Sequence, residues 1–102
     1  MPLTDAEVMA SAGRGDTAAR RELVVRHRGA VFRLLRRLTR DDARAEDLTQ
    51  DTFVTALAHL STWRGDGTAL GWLMAIARSK LLMDRRSPAA RHEPAEDASL
   101  ES

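Results

Sequence analysis

The stretch that decides the fold runs from Asp16 to Arg40, DTAARRELVVRHRGAVFRLLRRLTR. Within it Leu23, Val24, His27, Val31, Leu34, Leu35 and Leu38 recur at steps of three and four residues, and arginines fill the other positions. An α-helix turns by about 100° per residue, so this spacing gathers one apolar stripe and leaves charge on the remaining surface. Asp16 supplies the acceptor that the first amides of such a helix need. Eight arginines face only Asp16 and Glu22 here, a local balance of +6 hidden within a whole-chain charge of +1.

Upstream, Thr4-Asp5-Ala6-Glu7 has the spacing of a capping box, which predicts a first helix running to about Ala12 and ended by Gly13 and Gly15. Downstream, Asp41 or Asp42 caps a third helix through about Leu60, with Leu48, Val54, Leu57 and Leu60 inward and Asp47, Gln50 and Asp51 on one shared face. From Asp41 to Asp51 five acidic residues oppose Arg44 alone, so the domain carries a second surface of opposite sign. Ser61 to Thr68 contains two glycines and small polar residues, breaks the helical period and reads as a loop carrying Trp63. A fourth helix is expected from roughly Thr68 to Arg86, with Trp72, Leu73, Ile76, Ala77 and Leu81 inward and Arg78, Lys80, Arg85 and Arg86 facing solvent or a polyanion.

Ser87-Pro88 ends that helix, and the remaining PAARHEPAEDASLES is rich in Pro, Ala, Glu and Ser without apolar periodicity. No segment alternates with period two. The expected architecture is therefore all-α: a compact bundle of about four helices over residues 1–87, followed by a flexible acidic linker or disordered C-terminal tail over 88–102.

Composition narrows the function. A chain of 102 residues with 43% hydrophobic content fits one ordinary domain. There is no cysteine, and His27, His59 and His92 are far apart, so no cofactor and no metal centre is expected. No nucleophile–base pair or glycine-rich phosphate loop is recognisable either, and no catalytic residues are assigned. The start MPLTDAEVMA lacks the basic and apolar runs of a signal peptide, and no long apolar stretch suggests a membrane span, so a cytoplasmic protein is expected.

Ala45-Glu46-Asp47-Leu48-Thr49-Gln50-Asp51-Thr52-Phe53 resembles region 2 of the extracytoplasmic-function class of bacterial sigma factors. The pattern covers nearly the whole chain. It opens with Gly15-Asp16, Ala19 and Leu23, passes through Trp63-Arg64-Gly65-Asp66, and closes with Trp72-Leu73, Ile76-Ala77-Arg78 and Asp84-Arg85-Arg86. The specificity lies in the order and spacing of these words in one short helical chain.

The resemblance implies a non-catalytic factor that binds core RNA polymerase, recognises the promoter minus-ten element and holds the melted non-template strand during transcription initiation. Asp47, Gln50, Asp51 and Phe53 correspond to positions that dock on the clamp helices of the largest catalytic subunit, although an aromatic at helical spacing is more often core. Trp63, Arg64 and Thr68 fall in the loop that in the family receives a flipped base. Trp63 reads equally as a hydrophobic plug closing the third helix, and the two roles are compatible. Arg78, Ser79, Lys80, Arg85 and Arg86 correspond to the helix that faces minus-ten DNA. This chain departs from many relatives in lacking an aromatic over Gly67 to Leu70 and in carrying Ser79 where asparagine is common.

The resemblance also allows an anti-sigma factor as a further partner. A complete factor of this class has a second helical domain for the minus-thirty-five element, which nothing after Arg86 resembles, so the chain reads as an excised domain or a shortened protein. The rival reading is a stand-alone helical DNA-binding or protein-interaction regulator, which would bind free duplex DNA without polymerase.

Overall fold

A computed structural model describes residues 3–86 of the chain, with the side chains of Arg85 and Arg86 outside that description. Four α-helices are present among the described residues: α1 (Asp5–Gly13), α2 (Thr17–Thr39), α3 (Asp42–Ala58) and α4 (Ala69–Arg86). A single 3-10 turn, Leu60–Thr62, follows α3. No strand occurs among the described residues. The all-α expectation holds, whereas the expected linker over 88–102 lies outside them.

Each helix start is set locally. Thr4 Oγ1 accepts from the Glu7 amide at 3.1 Å while the Thr4 amide donates to Glu7 Oε1 at 2.7 Å, which completes the capping box. Asp16 Oδ1 accepts from the Ala18 amide at 3.0 Å to open α2, and Asp41 Oδ1 accepts from the Arg44 amide at 3.1 Å to open α3. Between α2 and α3 the chain reverses through Arg40, whose φ of 56° and ψ of 34° lie in the left-handed region. A β-carbon is strained there, yet the Arg40 amide still reaches the Arg36 carbonyl at 2.8 Å and closes the helix.

α2 packs against each of the other three helices, and α3 and α4 also pack on one another. Leu23, Val31 and Leu35 of α2 are fully buried with Val8 of α1 and Leu73 of α4, and Ala45 and Ala56 of α3 let the helices approach closely. Thr49 and Thr52 are buried as well, and their hydroxyls donate to the Ala45 and Leu48 carbonyls at 2.7 Å each, so neither leaves a polar atom unpaired. His27 is buried in the α1–α2 seam with Nε2 at 3.2 Å from Asp5 Oδ2, close in distance but not aligned as a hydrogen bond. Asp5 is also held by Arg26, which bonds Glu22 too; these two carboxylates raise the Arg26 pKa above its usual value.

Three expectations are corrected. α3 ends at Ala58, because His59 leaves helical geometry and the next amides fold back in a 3-10 turn. Val54, expected inward, is 67% exposed: it stands about 200° round the helix from the buried Thr52, opposite the inner face. Leu38, in the last turn of α2, is likewise exposed rather than inward.

Because glycine meets no β-carbon penalty at positive φ and the closing hydrogen bond uses only backbone, Arg40→Gly is expected to stabilise the domain by about 0.5–1 kcal/mol. In thermal unfolding followed by circular dichroism this is a rise of a few degrees. A lowered melting temperature would show that the Arg40 side chain contributes more than its backbone costs.

Candidate functional site

The five acidic residues of the Asp41–Asp51 segment divide into two groups. Asp41 is spent as a helix cap, Asp42 pairs with Arg36, and Glu46 pairs with Arg28. Arg44, the one cation of the segment, pairs with Asp84 at the far end of α4. Asp47 and Asp51 remain: both are exposed, and among the described side chains neither forms an ion pair or hydrogen bond. Gln50 is exposed between them. The structure thus brings Asp47, Gln50 and Asp51 together as an unengaged polar face of α3.

Phe53 does not belong to that face. It is 5% exposed and part of the core, since it lies on the α3 flank occupied by Thr49 and Ala56. The apolar residue that does share the face is Val54, which sequence reasoning placed inside. A helical wheel would have found it, since Val54 follows Asp47 by two turns and Asp51 and Gln50 by about one.

The loop over 63–68 is shaped by Gly65 and Gly67, at φ of 87° and 70°. Trp63 is half-buried against the core, with its indole Nε1 buried and lacking a hydrogen-bond partner among the described residues. It borders an open hollow of about 390 Å³ that α1 shares through Met9, Ala10 and Gly13. Arg64, also at the hollow, is exposed. Thr68 has a structural task, because its hydroxyl accepts from the Gly71 amide at 2.9 Å and caps α4.

On α4, Arg78 and Ser79 are exposed and point away from the inner ladder of Ala69, Leu73, Ala77 and Leu81. Lys80 is half-buried and stands on the inner side of the helix, so it does not share a face with Arg78. Arg85 and Arg86 fall in the last turn of α4. Leu82, one turn beyond Arg78, is exposed, as is Met83; neither was anticipated as surface.

Among the described residues no group of three or more His, Asp or Glu side chains is placed to hold a metal ion, and no helix is long and apolar enough to cross a membrane. The geometry is that of an all-helical module whose chemistry lies in surfaces: an unengaged acidic face on α3, and a loop and partly basic helix on α4. The chain matches the Sigma-70 region 2 family over residues 23–92, and it belongs to that family.

Its relatives include the RNA polymerase sigma-H factor of Pseudomonas aeruginosa, 31% identical over 98 residues, which cover 92% of this chain and 51% of that protein. The ECF RNA polymerase sigma factor SigL of Mycobacterium tuberculosis is 34% identical over 86 residues, 82% of this chain and 48% of SigL. The ECF RNA polymerase sigma factor SigE of Mycolicibacterium smegmatis is 38% identical over 90 residues, 78% of this chain and 35% of SigE. The chain therefore spans between about a third and about half of the length of these three relatives. No solved structure matches it.

If Thr68 serves mainly as a cap, Thr68→Ala is expected to lower stability by about 1 kcal/mol and Thr68→Asp to restore most of it. Urea unfolding of both variants measures this. Equal stability of Thr68→Ala and the parent would free Thr68 for a binding role.

Proposed function

We propose that this domain acts in transcription initiation, docking core RNA polymerase through α3 and engaging the melted minus-ten strand through the 63–68 loop and the outer side of α4. Family membership supports the reading. The observation that carries it is the division of the acidic residues of the Asp41–Asp51 segment, in which Asp47 and Asp51 have no partner among the described residues while their neighbours are consumed in caps and ion pairs. A carboxylate pair flanking an amide suits a basic protein surface, with the clamp helices of the largest polymerase subunit as the partner. Phe53 drops out of this surface because it is buried.

On the DNA side, Trp63 and Arg64 offer an aromatic edge and a cation beside the hollow, while Arg78, Arg85 and Arg86 supply phosphate contacts and Ser79 a short polar group. The factor works in the cytoplasm and performs no catalysis itself.

Exchanging Asp47→Arg and Asp51→Arg together should leave melting within about 0.5 kcal/mol of the parent, because both sites are exposed and have no partner among the described residues, yet abolish pull-down of core polymerase. Normal pull-down by the folded double variant sinks the docking assignment. For the DNA side, open-complex formation by reconstituted polymerase is compared on a duplex promoter and on one already unpaired at the minus-ten element. Arg78→Ala and the Arg85→Ala, Arg86→Ala pair should weaken opening and reduce its salt dependence, whereas Lys80→Ala should do so less, given its inward placement. Parental behaviour of all these variants on both templates would leave the basic side a solvated surface.

A further inference from the structure

The acidic face of α3 is not wholly polar. At 67% exposed, Val54 stands among Asp47, Gln50 and Asp51, and exposed Ala58 continues the same side by one turn. No lysine or arginine occurs anywhere in 45–63, so nothing within the segment neutralises the face or folds an aliphatic stem across the valine. A lone exposed aliphatic is ordinary. This one stands one and two turns beyond the two carboxylates of the Asp41–Asp51 segment that have no partner among the described residues, which makes apolar and ionic groups a single patch about two turns long.

We infer that Val54 is the apolar anchor of the polymerase contact, seated against an aliphatic side chain on a helical element whose cations meet Asp47 and Asp51. The inference rests on the docking reading given above and adds to it a division of labour. Exposed carboxylates in water mainly steer encounter, and their attraction is screened by salt. Residence depends on groups that are desolvated at the centre of a contact, with polar groups around them excluding water. By register Val54 lies between the acidic pair and Ala58, one turn from Gln50, Asp51 and Ala58 and two from Asp47, so a helix laid along this face that meets the carboxylates also covers it. The complementary partner carries cations about one helical turn apart with an apolar position one turn further along, since that spacing matches Asp47, Asp51 and Val54.

The test uses the full chain, immobilised, with purified core polymerase flowed over it at several salt concentrations. Val54→Ala, Val54→Thr and the Asp47→Asn, Asp51→Asn pair are compared after circular dichroism has shown parental melting for each. Val54→Ala should speed dissociation roughly three- to tenfold, from the apolar area it removes, with association rate and salt dependence unchanged. Val54→Thr, which keeps the volume but replaces a methyl with a hydroxyl, should fall between. The asparagine pair should instead slow association and flatten its salt dependence. Parental dissociation of both Val54 variants, alongside impaired association of the asparagine pair, would overturn the anchor while leaving the acidic docking face in place. If the asparagine pair also behaves as the parent, the docking reading fails and the anchor falls with it.

Discussion

The apolar stripe of α2 constrains everything else in the molecule, because it is the one surface that all three other helices must share. Leu23, Val31 and Leu35 are fully buried along it, and each partner presents small or branched side chains to it: Ala12 from α1, Ala45 and Ala56 from α3, Leu73 and Ala77 from α4. Such a stripe admits only one rotation of α2 about its axis. That rotation in turn fixes which of its arginines meet acidic neighbours and which face water.

Arg28 and Arg36 meet Glu46 and Asp42, and Arg44 of α3 meets Asp84 of α4. Exposed ion pairs contribute about 0–1 kcal/mol each, so these do not hold the bundle together. Their effect is on register and on what remains unpaired. Pairing within the fold draws Asp42 and Glu46 out of the surface charge, and the residual acidity of α3 is concentrated on Asp47 and Asp51.

The sequence disclosed what local rules govern and missed what tertiary neighbours decide. The caps at Thr4, Asp16 and Asp41 were readable because a cap needs only residues two or three positions apart. The periodicity of α2 was readable because its apolar steps leave one solution. Val54 is exposed despite its hydrophobicity, because its angle round α3 opposes Thr52 and Ala56 and hydrophobicity alone does not fix burial. Lys80 departs more mildly, as a cation read as outward that is half-buried beside the inner ladder of α4. The partition of the acidic residues was beyond sequence reasoning, since Arg28 and Glu46 are 18 positions apart and Arg44 and Asp84 are 40.

The two candidate surfaces lie on different helices, and the side chains that define them are mostly exposed. Their signs are opposite as well, which suits a cationic protein partner on one side and a polyanion on the other and disfavours the exchange of the two. Neither surface costs the fold much, because the core is complete without it: α3 buries Ala45, Leu48, Thr49, Thr52, Phe53 and Ala56, and α4 buries Ala69, Leu73, Ala77 and Leu81. The outward residues of these helices are thereby free to vary with what they bind, while the inward ones are held by packing. An exposed valine beside two carboxylates that have no partner among the described residues contributes little to that packing, so any reason for its position must be sought in what the α3 face contacts.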